Sequence, residues 1–355
     1  MLSFLKISGS YHAVGKALGQ FGAPALHHYA KTSPAWHHIM RFRDHPAVKQ
    51  MQQQVQARHP QYWAELQGLA DGLQMPLADV FAWNCRGDLW AWGPDGCTTV
   101  WQPSEPMLLA HNEDGDPLFA GQCAMAHIDV DQGPAFTGFV YPGSVPGHTF
   151  AANSAGLCMT VNNLRTLHAK AGLPRMIITR HLIAQHDLHA ALQYVQAVQP
   201  AGGFHVTLGQ RGQHQMASVE FTSFLCSVMM INNAGGHANH MMHEATRHQP
   251  QIITGSSGFR QIRLAQCWQE PEHREPLEIL FDQHNTAFPI FRDDPADPDT
   301  ENTLASARFE ITADAVQWQV HQGRHHEPVY RFKDDQPIDL AQNTTALCKM
   351  ATDPQ

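Results

Sequence analysis

Long apolar runs are missing from this 355-residue chain: no stretch of about 18 apolar residues occurs, so nothing in it suits a membrane-spanning helix. The first twenty residues, MLSFLKISGSYHAVGKALGQ, lack a basic start, a sustained apolar core and a small-residue cleavage site, and give no sign of an export leader. Basic residues are scarce. Lys and Arg total 23 against 32 Asp and Glu, a net charge of −9 with histidine neutral, which argues against nucleic-acid or anionic-membrane partners. The seven cysteines (Cys85, Cys97, Cys123, Cys158, Cys226, Cys267, Cys348) contain no CxxC pair, and an odd number leaves at least one thiol free. A reducing, cytoplasmic compartment is the expectation. Repeats and low-complexity linkers are absent as well. What is present is an ordinary apolar share of 43% and 25 histidines, which make the net charge depend steeply on pH at about 6.5.

Hydrophobic spacing predicts a helix over 47–74, with Leu66, Leu69, Ala70 and Leu73 on one face and Gly72 ending it, and a short helix from Pro76. From Cys97 onward, TTVWQ, PMLLAHNED, CAMAHIDV, AFTGFVYPG, GHTFAA and LCMTVNN read as short strands separated by turn residues. A long helix is predicted over Arg175 to Val198. Strands resume with FHVTLGQ, MASVEFT and CSVMMINNAG, and SSGFRQIRLAQCWQ reads as a helix capped by its serine pair. TLASARFEI, AVQWQVHQ and PVYRF look like three closing strands, and Asp293 to Asn302 like an exposed loop. Two blocks of strands flanked by helices predict a layered α+β fold.

The chemistry points to one cysteine. Gly93-Pro-Asp-Gly-Cys-Thr-Thr-Val-Trp101 places Cys97 after a turn-forming run, poor surroundings for a core thiol and good ones for a backbone that is to be cut. A thiol needs a base to become a nucleophile. Scission between Gly96 and Cys97 would provide one, the new α-amino group, whose ordinary pKa is about 8. Glycine before the cut leaves the preceding carbonyl open to attack.

Around this stretch the chain resembles the acyl-CoA:6-aminopenicillanate acyltransferase group of N-terminal-nucleophile (Ntn) hydrolases, peptidase C45-like proteins that cut themselves before a cysteine. The likeness rests on HPQYWAELQGLADGLQMPLADVFAWNCRGDL, DGCTTVW, HNEDGD, FAANSAGLCMTVNNL, MASVEFT, HANHMM, FPIFR, TLASARFEI and PVYRF, in that order. It implies an αββα sandwich of two antiparallel sheets between helical layers. It also implies a helical segment 1–96 that is cut away but stays bound, and a catalytic domain 97–355. By the same resemblance Cys97 is the nucleophile, Asp114 the aspartate that holds the freed amino group, and Asn239 the oxyanion donor. Thr98, Thr99, Asn112 and Arg86 are supports. Glu113 stands where the family often has an aromatic residue, and an acid beside the pocket would favour an amine-bearing substrate. The family's arginine before the Thr-Leu strand is missing from DPDTENTLAS, so either Arg292 or Arg308 replaces it or the cation is absent.

The implied reaction is hydrolysis of a small linear N-acyl amide through a thioester, without cofactor. The alternatives are acyl-CoA-dependent transfer to a small amine, and a non-catalytic small-molecule-binding protein on the same scaffold. His237, His240 and His243 recur at zinc-ligand spacing, but a strand-and-loop context would turn them to different faces, so no metal is expected there. The pairs His27–His28, His37–His38 and His325–His326 read as solvated surface. The Arg86–Asp88 RGD triplet reads as a helix end with Arg86 turned inward.

Overall fold

Two β-sheets lie face to face between helical layers in the computed structural model, which describes residues 2–90, 96–167, 170, 172–270, 275–297, 299–324, 327–338 and 347–349. The chain begins with β1 (Ser3–Gly9), α1 (Tyr11–Thr32), α2 (Pro34–Met40), α3 (Pro46–Arg58), α4 (Pro60–Leu73), α5 (Leu77–Asn84) and α6 (Arg86–Leu89). It continues through β2 (Gly96–Gln102), β3 (Met107–Gly115), β4 (Ala124–Val130), β5 (Phe136–Val140), β6 (Phe150–Asn153), β7 (Leu157–Leu164), α7 (Arg175–Leu182) and α8 (Leu188–Ala197). Then follow β8 (Gly203–Gln210), β9 (Ala217–Phe221), β10 (Cys226–Met230), β11 (Gly235–His237), α9 (Gly255–Cys267) and α10 (Pro276–Leu280). Five strands close the chain: β12 (Asn302–Ile311), β13 (Val316–His321), β14 (Tyr330–Lys333), β15 (Gln336–Pro337) and β16 (Leu347–Lys349).

One sheet runs β10-β9-β8-β7-β6-β5-β4-β1-β16 and the other β11-β2-β3-β12-β13-β14-β15. Strands β2 and β7 meet across the interior, α9 and α10 lie on the second sheet, and α1 and α8 lie on the first. This is the expected four-layer αββα order. The sheets are antiparallel except at β1, which pairs in parallel with both β4 and β16. The segment 1–96 is therefore not helical throughout, since its first strand belongs to the larger sheet. Strands β6 and β7 are buried along their whole length, because one face meets the opposing sheet and the other a helical layer. Phe309, Trp318 and Phe332 stack in series inside the interior, at centroid distances of 5.0 and 4.2 Å.

Every predicted strand between Gly96 and Lys333 forms, while three helical expectations change. The stretch 47–74 is two helices, because Pro60 has no amide hydrogen to continue the first and starts the second. Gly72 lies inside α4, where it meets α1: a Cβ on Gly72 would sit 2.0 Å from the carbonyl oxygen of Lys16, and one on Gly15 would sit 1.9 Å from that of Glu65. The predicted helix 175–198 breaks between Leu182 and Leu188. Asn153 Nδ2 donates to the carbonyls of Ile183 and Gln185 at 2.9 and 2.8 Å, and Asp187 caps the second piece by accepting from the Ala190 amide. Helix α9 is capped by Thr254, two residues before the serine pair.

The segment 293–302 is no plain exposed loop either, since Asp297 and Glu301 fold inward. The turn residues Pro94 and Asp95 and the pair His325–His326 lie outside the described residues. His27 and His38 are half-buried, His27 against the Leu73 carbonyl and His38 against Trp90, so those pairs are not wholly solvated. No helix among the described residues is long and apolar enough to cross a membrane.

Candidate active site

Hairpin β2–β3 builds the site. Its register sets Gly96 opposite Asp114, Cys97 opposite Glu113, Thr98 opposite Asn112 and Thr99 opposite His111. Side chains alternate along each strand, so Cys97, Thr99, His111 and Glu113 share the face toward the other sheet, and Thr98, Asn112 and Asp114 the face toward α9 and α10. Cys97 opens a strand and is only 6% exposed, contrary to the open turn expected for it.

The backbone of Cys97 is gripped from both sides. Its amide donates to Asn239 Oδ1 at 3.1 Å, and its carbonyl accepts from Arg260 Nη1 at 2.6 Å. Arg260 also donates to Thr98 Oγ1 at 2.8 Å and to Asn239 Oδ1 at 2.7 Å. The Asn239 amide donates to Ser257 Oγ, and its Nδ2 to the Asn163 carbonyl at 3.2 Å, so the expected oxyanion donor is engaged with backbone here. Arg260 was missed in the sequence. The signal was present in α9, where Arg260 and Arg263 recur on the buried face that carries Leu264 and Cys267.

Asp114 stands across from Gly96 in a charged cluster. Its Oδ1 accepts from the Thr303 hydroxyl at 2.6 Å, and its Oδ2 has no hydrogen-bond partner among the described residues. Burial raises its pKa, against the opposing pull of Arg260 and Arg292. Glu301 is likewise raised by burial, and Arg292 and Arg165 offset this as its ion-pair partners. Of the two arginines considered for the missing family cation, Arg292 lies here, 3.4 Å from where a Gly96 Cβ would be. Arg308 instead pairs with Glu275 and Glu310. Asn112 pins β3 to the helical layer, donating to the Leu280 carbonyl at 2.8 Å and accepting from Ser306.

On the opposite face Glu113 belongs to the thiol. Its Oε2 lies 3.8 Å from Cys97 Sγ and 3.2 Å from His111 Nε2, and its Oε1 accepts from the Tyr141 hydroxyl at 2.9 Å. The carboxylate thus faces Cys97 and not the neighbouring cleft. The bond pattern fixes the His111 tautomer. Asn162 Nδ2 donates to the His237 carbonyl, leaving Oδ1 to accept from the Thr99 hydroxyl at 2.7 Å. Thr99 then accepts from His111 Nδ1 at 2.9 Å. Burial takes His111 down to about 3, so the ring is neutral and its Nε2 lone pair points at Glu113. Two acceptors this close need a proton or a cation between them.

A slot with aromatic walls (Tyr29, Trp83, Trp90, Phe119 and Tyr141) adjoins this centre, and Arg86 and Asp116 place charge in it. Arg86 is turned inward as expected, 4.8 Å over the Trp83 ring and bonded to Ser144 Oγ. The His237, His240 and His243 side chains go to separate partners, Glu220, Ser257 and Ser218. His237 also stacks on His205, with ring centroids 3.6 Å apart.

A thiol and its backbone are thus held by buried polar groups beside an aromatic slot. The family model for acyl-coenzyme A:6-aminopenicillanic acid acyl-transferase matches residues 101–325, more than half of the chain, and the chain belongs to that family. It is similar to the beta-alanyl-dopamine/carcinine hydrolase of Drosophila melanogaster, 26% identical over 214 residues, covering 53% of this chain and 55% of that protein. The chain thus matches about half the length of this curated relative. Among solved structures, the R18L variant of conjugated bile acid hydrolase from Clostridium perfringens aligns with a TM-score of 0.43 at 11% identity, covering 69% of this chain and all of that one.

Proposed function

We propose that the protein hydrolyses a small linear N-acyl amide through a thioester on Cys97, and that Cys97 gains its own amino group as base by scission of the Gly96–Cys97 bond. The observation that carries this reading is the hold on the Cys97 nitrogen. The β2–β11 ladder ends at Thr99, so the buried Cys97 amide needs an acceptor from outside the sheet, and an amino group that moves protons needs a side chain that keeps its nitrogen fixed after scission. Asn239 Oδ1, itself fixed by Arg260, does so. The Asp114 oxygen without a partner, one residue across the ladder at Gly96, would receive the charge of a new chain terminus.

In the reaction the amino group takes the thiol proton and Sγ attacks the amide carbon. The tetrahedral oxyanion collapses as the protonated amino group returns that proton to the leaving nitrogen, which departs as the amine. Water, giving a proton to the same amino group, then attacks the thioester carbon, the C–S bond breaks, and the acid leaves as the proton returns to the thiolate. Such an oxyanion would compete with the Asn163 carbonyl for Asn239 Nδ2. Removing one donor of this kind costs on the order of 3 kcal/mol in the transition state. The hydrolase named among the relatives supports water as acceptor and an amine-bearing substrate, for which Asp116 in the slot is the suited partner. The family description supports a second reading, transfer of the acyl group from coenzyme A to an amine.

Intact mass of the purified protein tests the reading, together with turnover of N-acyl amides. The expected result is two fragments, 1–96 and 97–355, with a single uncut, inactive chain for Cys97→Ala. An uncut wild-type chain with turnover would remove the proposed base. Unchanged turnover in Cys97→Ala would remove the nucleophile, and tight ligand binding without turnover would indicate a binding protein.

A further inference from the structure

The Cys97 thiol, His111 Nε2 and Glu113 Oε2 converge, every pair of these donor atoms lying within 4.8 Å. All three residues belong to one hairpin and one face of it, so the grouping follows from strand alternation and register and does not depend on a loop. A zinc ion with bonds of about 2.3 Å to sulfur, 2.0 Å to nitrogen and 2.1 Å to oxygen would separate tetrahedral ligands by about 3.6 Å (S to O) and 3.4 Å (N to O). The distances here are 3.8 and 3.2 Å.

The surroundings are those of metal ligands. His111 donates its other ring nitrogen to Thr99, which aims Nε2 inward, and the second oxygen of Glu113 is held by Tyr141. Cys97 and Glu113 keep 6% and 4% of their surface exposed, and Tyr141, bonded to Glu113, also lines the aromatic slot.

We propose that these three side chains form a zinc site which, when filled, masks the thiol. The mixed sulfur, nitrogen and oxygen donors favour a borderline-soft ion over magnesium or calcium. Three protein ligands leave one position for water or a substrate atom. On binding, the S–H proton and the proton shared between Glu113 and His111 pass to solvent, and S–Zn, N–Zn and O–Zn bonds form with no change of oxidation state. The masking role rests on the reading of Cys97 as nucleophile; the site itself does not.

The test uses chelator-treated, reduced protein titrated with Co²⁺ and then with Zn²⁺. The expected result is one ion per chain with a thiolate-to-cobalt charge-transfer absorption, which zinc abolishes and which is missing in Cys97→Ser. That signature separates the site from binding by surface histidines. Glu113→Gln, isosteric with the acid, should weaken affinity at least tenfold, and zinc should slow alkylation of Cys97 at least tenfold until a chelator is added. Absence of the thiolate absorption in the wild type, or its persistence in Cys97→Ser, overturns the site. Zinc binding at Cys97 in a metal-free protein that turns over no amide would keep the site and remove the reading on which masking rests.

Discussion

Arg260 Nη1 donates to the carbonyl oxygen of Cys97 while its Nη2 donates to Asn239 Oδ1, so one buried guanidinium fixes both the carbonyl of Cys97 and the side chain that holds its nitrogen. A lysine has a point charge and no fork, and it cannot span both acceptors. Arg260→Lys should therefore lower kcat for N-acyl amides on the order of a hundredfold, a loss like that of a catalytic hydrogen-bond donor. Steady-state kinetics beside a thermal unfolding curve separates this from loss of fold.

Gly96 is confined by charge and not by turn geometry. A Cβ there would lie 2.3 Å from Glu301 Oε2, a carboxylate that Arg165 and Arg292 hold in place. Gly96→Ala should displace the start of β2 and block scission. Intact mass should then show one uncut chain where the proposed scission predicts two fragments for the wild type.

Helices α1 and α4 approach each other through Gly15 and Gly19 on one and Gly68 and Gly72 on the other, and each of the four would place a Cβ against partner backbone. Backbone cannot yield as a flexible side chain can. Gly72→Ala should cost about 1–3 kcal/mol or more, read as a lower urea midpoint with an unchanged slope.

Glu220 ties its own acid sensitivity to the histidines around it. Burial pushes its pKa up, but hydrogen bonds and charge from His237, with help from His243 and Thr246, outweigh burial and bring it down to about 2 from 4.5. A carboxylate depressed in the folded state binds fewer protons there than in the unfolded chain, so its contribution is complete above about pH 4.5 and is lost as pH falls toward 2. Glu220→Gln should be less stable than the wild type at neutral pH and should lose less stability across that window. Chemical denaturation at stepped pH would show it.

Strand alternation and turn residues made the sheets readable from sequence, because period-2 patterning is local. What escaped depended on partners distant in the chain. Pro60, a local signal, was passed over in the single helix expected over 47–74, whereas the break in α7–α8 is imposed by Asn153, thirty residues earlier. Gly72 looked like a helix stop because its function, contact with α1, is tertiary. In the site, Cys97, Asn239, Thr98 and Thr99 were legible and are brought together. Glu113 was assigned to the cleft, although its opposition to Cys97 follows from a hairpin register that only the folded ladder fixes. Arg292 was one of the two arginines named for the family's missing cation, whereas Arg260, 163 residues beyond Cys97, reaches both Cys97 and Asn239 from α9, which no spacing rule anticipates.

Strand β1 pairs along all seven residues with β4, and on its other side with β16. Were the chain severed ahead of Cys97, the smaller fragment would remain an interior rung of a sheet whose other members belong to the larger fragment. Separating the two would then be an unzipping of secondary structure, with the kinetics of unfolding and not those of a subunit leaving a surface. Dilution alone should not part them.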